Sequence, residues 1–97
     1  MKRIRSATID GKRHRIVWRP LVKTDNAWGM AWPDQCLIEI DSSLEDPALT
    51  AEVMIHEVMH RQVPPLTEDR IDQLANEICS VLQRAELIAD EPYNGRQ

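Results

Sequence analysis

Hydrophobic positions along this chain follow a period of about two residues near the start and a helical period in the second half. Residues 3–9 and 13–19 flank Asp10-Gly11. Asp-Gly between two strand-like runs predicts a two-residue hairpin, because a type I′ turn needs positive φ at both central positions. Pro20 ends the second arm. Residues 23–35 contain Asn26, Gly29, Pro33 and Asp34 and read as a loop. Over 36–41, Ile38 and Ile40 alternate with Glu39 and Asp41, the pattern of a half-buried strand. Asp46 as N-cap and Pro47 at the first helical position then open a helix over 47–61. Leu49, Val53, His56 and His60 form one stripe of it, and Ile55, Val58 and Met59 are apolar on other sides, so this helix is expected to be central. Val63-Pro64-Pro65-Leu66 breaks it. Thr67 caps a second helix over 68–88, whose stripe is Ile71, Leu74, Ala75, Ile78, Val81 and Leu82. Residues 90–97, with Pro92 and Gly95, read as a flexible tail. The order β-β-β-α-α predicts an α+β domain, with a small antiparallel sheet of about three strands packed on two helices.

Composition narrows the picture. The chain has 97 residues, enough for one domain with a limited core. It has no Phe, so the core must come from Leu, Ile, Val, Met and Trp. Trp28 and Trp32, placed in the predicted loop, are expected to plug the core edge; a wall over a substrate cleft is the alternative. Charge is segregated. Residues 1–23 carry eight Lys/Arg against Asp10 alone, and the rest carry four against fifteen Asp/Glu. That asymmetry suits a nucleic-acid or acidic partner, but no nucleic-acid motif accompanies it, and a solvated basic hairpin is the favoured reading. Cys36 and Cys79 are expected to be reduced thiols. There is no signal-peptide core and no apolar run long enough to span a bilayer, which predicts a soluble cytoplasmic protein with no membrane partner.

The chemistry is concentrated in His56-Glu57-Val58-Met59-His60. On a helix, positions i and i+4 lie one above the other on a single face. Two imidazoles so placed can close on one Zn²⁺, with Glu57 beside them to take a proton from an activated water. A catalytic zinc usually has three protein ligands. The metzincin extension is ruled out, because Val63 and Leu66 stand where its glycine and third histidine would fall. His14 is a weak third candidate and reads as a solvated hairpin residue. Acids of the second helix are better placed. Taking Ile71 as the centre of the buried stripe, Glu68 lies about 60° away and Asp72 about 100°. This favours Glu68 as third ligand, with Asp72 the alternative. Ile38 and Ile40 are candidate substrate-binding positions, if their strand forms a sheet edge that adds a peptide strand.

The run Ile38-Glu39-Ile40-Asp41, followed by a short acidic turn, Ile55-His56-Glu57-Val58-Met59-His60, a proline-bearing turn and Leu66-Thr67-Glu68-Asp69, resembles the compact core of ImmA/IrrE-type metallopeptidases. It is still more similar to short zincin-like proteins often encoded by phages and prophages. The resemblance covers roughly residues 36–85. It implies a zinc-dependent peptidase acting on a protein or peptide, in the host cytoplasm if phage-encoded. It also implies zinc held by two histidines and a downstream acid. In the ImmA/IrrE pattern that acid precedes an Ala-Asn pair; the matching offset from Ala75-Asn76 points to Asp72. Arg61-Gln62 departs from the small or apolar residues usual after the second histidine. A non-catalytic zinc-binding module, or a nucleic-acid-associated protein using the basic hairpin, are the competing expectations.

Overall fold

The computed structural model describes residues 2–63 and 65–88; the expected tail at 90–97 lies outside them. The elements are β1 (Ser6–Ile9), β2 (Lys12–Arg19), α1 (Leu21–Asp25), β3 (Gly29–Trp32), a 3-10 turn (Pro33–Gln35), β4 (Leu37–Asp41), α2 (Pro47–Gln62) and α3 (Glu68–Arg84). The hairpin turn is as expected, with φ of 54° at Asp10 and 72° at Gly11, and Ile9 opposite Lys12.

The α+β class holds, but the sheet differs from expectation. It has four strands in the order β1-β2-β4-β3, and it is mixed. β2 and β4 run parallel, while β1–β2 and β3–β4 are antiparallel. The segment expected to be a loop at 23–35 supplies the end of α1 and the edge strand β3. β4 is therefore central, not an edge, and every residue in it is buried. Ile38 and Ile40 are core residues with strands on both sides, so they are not available for substrate pairing.

The two acids of β4 are buried with partners. Glu39 accepts hydrogen bonds from Arg19 and from Trp32 Nε1, the latter at 2.8 Å. Arg19 is the main cause holding its carboxyl below the usual range, against the opposing effect of burial. Burial also disfavours the charged form of Asp41. The Ser43 hydroxyl and the backbone N–H groups of Val22 and Ser43 outweigh it and hold Asp41 low. The bond from Val22 N–H ties α1 to the sheet.

Asp46 caps α2 by accepting from Ala48 N–H at 3.0 Å, and Thr67 caps α3 by accepting from Arg70 N–H at 3.2 Å. α3 ends at Arg84, four residues before the expected boundary. Glu86 takes a left-handed φ of 60°. The N–H groups of Glu86 and Leu87 then bond back to Gln83 and Leu82, a Schellman stop without a glycine. Ile9, Ile16, Ile38, Ile40, Leu44 and Val53 form the core between sheet and α2. Ile71, Ala75 and Cys79 are the buried residues of α3, the helix that follows α2 and packs on it. Cys36 and Cys79 are free thiols. Among the described residues no helix is long and apolar enough to cross a membrane.

Candidate functional site

The one-turn spacing of His56 and His60 on α2 brings their Nε2 atoms to 3.0 Å. The turn after α2 returns the chain so that the first residue of α3 reaches both. Glu68 Oε1 lies 3.0 Å from His56 Nε2, and Oε2 lies 2.8 Å from His60 Nε2. One donor atom from each of the three residues lies within 4.8 Å of the others, a grouping that can hold a metal ion. Two imidazole nitrogens and a carboxylate suit Zn²⁺. Bonds of about 2.0–2.2 Å in a tetrahedron put donors roughly 3.3 Å apart, so these three need to separate by only a few tenths of an ångström.

Asp72, one turn further along α3, does not converge on the same point. Its Oδ1 lies 2.9 Å from His56 Nδ1, the opposite ring nitrogen. A carboxylate there accepts the Nδ1 proton and leaves the Nε2 lone pair for an ion. The two acids expected to compete for one role thus occupy two different positions.

Glu57 lies on the side of α2 facing the sheet and is 6% exposed. Among the described residues it has no hydrogen-bond or ion-pair partner. Burial raises its pKa to about 7; the nearby His56 works against that shift and the Glu68 charge adds to it. A carboxylate poised near neutrality can both take and return a proton. Its space is shaped by Gly29 of β3. A Cβ at that position would stand 2.9 Å from Glu57 Cγ and Oε2 and 3.0 Å from Val53 Cγ1.

Two cavities meet at Glu57. One, of about 240 Å³, is lined by Trp28, Gly29, Leu49, Glu52, Val53, His56, Glu57 and Asp72. The other, of about 350 Å³, is lined by residues 30–33 of β3 and its following turn together with Glu57, His60 and Glu68. Trp28 and Trp32 are 47% and 38% exposed. They are cleft walls, not the core plugs expected, because β3, which ends at Trp32, and the bend at Trp28 just before it lie at the sheet edge. Glu39 fixes the Trp32 indole from beneath.

His14 is fully buried, at 0% exposure, not solvated. It faces inward on β2 because Arg13 and Arg15 take the outward positions of the alternation. Its Nδ1 lies 2.9 Å from the Lys12 carbonyl, and its Nε2 accepts from Arg61 Nε at 2.9 Å. It stands outside the metal-binding group, and it ties the hairpin to the residue after His60. Gly29 is a site residue that the sequence pattern did not single out, while for Trp28 the cleft wall was the second reading. The signal was present in Gly29, since a glycine inside a strand often marks close approach by another group.

No family model matches the chain, and no curated protein or solved structure matches it significantly.

Proposed function

We propose that this chain is a minimal zincin-like, zinc-dependent metallopeptidase. The observation that carries the reading is Glu57: a buried carboxylate without a donor, at the junction of two cavities, one residue from His56 and beside the His56–His60–Glu68 group. An isolated buried carboxylate is costly unless it serves a bound ligand or exchanges a proton. Zinc bound by these three residues would supply Lewis acidity toward a water and a peptide carbonyl. Asp72 orients His56 through Nδ1. Glu57 takes a proton from the attacking water at its carboxylate oxygen and later delivers it to the leaving amine nitrogen. β3, with β4 on only one side of it, is the edge that can hold a peptide backbone by strand addition.

Glu57→Gln is the decisive variant. It should keep the zinc and the fold while cleavage of a peptide library falls by a factor on the order of 10² to 10⁴, the usual worth of a general base. Cleavage at the wild-type rate would overturn the peptidase reading. Stoichiometric zinc without cleavage by wild type would instead favour a non-catalytic metal-binding module. A nucleic-acid-associated role is the second reading. It is favoured by Lys12, Arg13 and Arg15, which are exposed on β2 and have no ion-pair partner among the described residues. It predicts binding that weakens steeply with salt.

A further inference from the structure

The cavity of about 240 Å³ beside His56 has a lining that selects for charge. Trp28, Leu49 and Val53 give it apolar walls, while Glu52, Glu57 and Asp72 contribute carboxylates; no Lys or Arg lines it. Asp72 is engaged with His56. Glu52 is half-buried, and like Glu57 it has no hydrogen-bond or ion-pair partner among the described residues. The volume falls below the roughly 300–1,000 Å³ of sites that enclose a whole small molecule, so it suits one side chain of a larger ligand.

We propose that this cavity is a side-chain pocket for a lysine or arginine of the substrate, lying beside the scissile bond. The long aliphatic stem would lie against Trp28, Leu49 and Val53, and the cationic head would reach Glu52. Lys and Arg pack in this divided way, stem on apolar surface and head on a polar group. The Trp28 ring adds an aromatic face for the cation. A Leu side chain would fill the walls but leave Glu52 without a partner, and a Glu side chain would meet like charge. The position of the scissile bond rests on the peptidase reading above; the pocket itself needs no metal.

The test is binding of capped tripeptides Ac-Ala-X-Ala-NH₂, with X Lys, Arg, Leu or Glu, followed by NMR chemical-shift titration. It is run on the metal-free and the zinc-loaded protein, with zinc content measured on the same samples. Lys and Arg peptides are expected to bind at least about tenfold tighter than Leu, with Glu weakest, in both forms and with shifts centred on Trp28 and Glu52. Glu52→Gln should remove the preference for Lys and Arg and leave Leu binding unchanged. Glu52→Arg should move the preference to the Glu peptide. Equal or tighter binding of Leu, retention of the Lys preference in both variants, or no binding of any peptide would each overturn the pocket. A protein that takes up no zinc yet keeps the Lys preference would overturn the metal centre and leave the pocket standing.

Discussion

Glu57 combines a charge-bearing group with an environment that opposes charge, and that conflict is measurable in the metal-free protein. Its folded-state pKa of about 7 lies above the 4.5 of the free side chain. Between those values the folded chain holds a proton that the unfolded chain has lost. Stability therefore falls as pH rises through that window and levels off above it. The total loss is on the order of 3 kcal/mol. Denaturant melts of metal-free wild type and Glu57→Gln from pH 4 to 8.5 should diverge over that range, with wild type losing ground. Parallel curves would mean that Glu57 is solvated. At Glu68 and Asp72, helix geometry in the sequence ranked the two acids in the order of their approach to His56 Nε2. It could not show that Asp72 meets the other ring nitrogen, because that depends on the rotamer of His56. The expected outcomes differ accordingly. Glu68→Ala should abolish tight zinc binding, while Asp72→Asn should weaken it by roughly 10- to 100-fold, the usual effect of losing an outer partner. Competition with a chelator measures both. An Asp72→Asn loss as large as that of Glu68→Ala would make Asp72 a direct ligand.

Elements read from local rules were found where local rules decide them. The Asp-Gly hairpin, both helix N-caps and the start of each long helix depend on neighbouring residues only. β3 was not legible, because Gly29-Met30-Ala31-Trp32 has little intrinsic preference for a strand and forms by pairing with β4. α1 spans five residues, too short to form by propensity, and it is held by the Asp41 side chain. β4 carries the alternation of a half-buried strand, Glu39 and Asp41 between isoleucines, yet is buried throughout, because the partners of those acids, Arg19, Trp32 and α1, come from elsewhere in the chain. α3 stops short of the apolar pattern that runs to 88 because Glu86 makes the left-handed stop that glycine usually signals. One consequence of β3 lying against α2 is a sharp requirement at Gly29. Gly29→Ala should destabilise the fold by about 1–3 kcal/mol, the usual cost of overpacking, since Glu57 Cγ and Val53 would both have to move. Zinc content should be retained while any cleavage drops, because Glu57 is displaced and the metal-binding group is not. A variant with wild-type melts and activity would show that Glu57 does not pack on Gly29.

Across the whole molecule, the candidate metal-binding group adds a polar bridge at one end of the packed pair α2 and α3. Its side chains come from the last turns of α2 and the first residue of α3. The hairpin braces the same end of α2 through the buried His14, which accepts from Arg61, and through Asp10, 3.7 Å from Arg61 Nη1. In a chain of 97 residues the core between sheet and helices is small, so an ion bridging α2 and α3 should contribute a large share of the stability. Binding to the folded state alone at a hundredfold excess over Kd adds about 2.7 kcal/mol. In a domain of this size that corresponds to a rise in Tm of roughly 10–20 °C. Calorimetric scans with EDTA, and then with added Zn²⁺, should show that rise in wild type and in Glu57→Gln. They should show none of it in His56→Ala or His60→Ala. Wild type that melts at the same temperature with and without zinc would remove the metal from the proposal altogether. A shift that survives in His60→Ala would place the ion somewhere other than between the two histidines and Glu68.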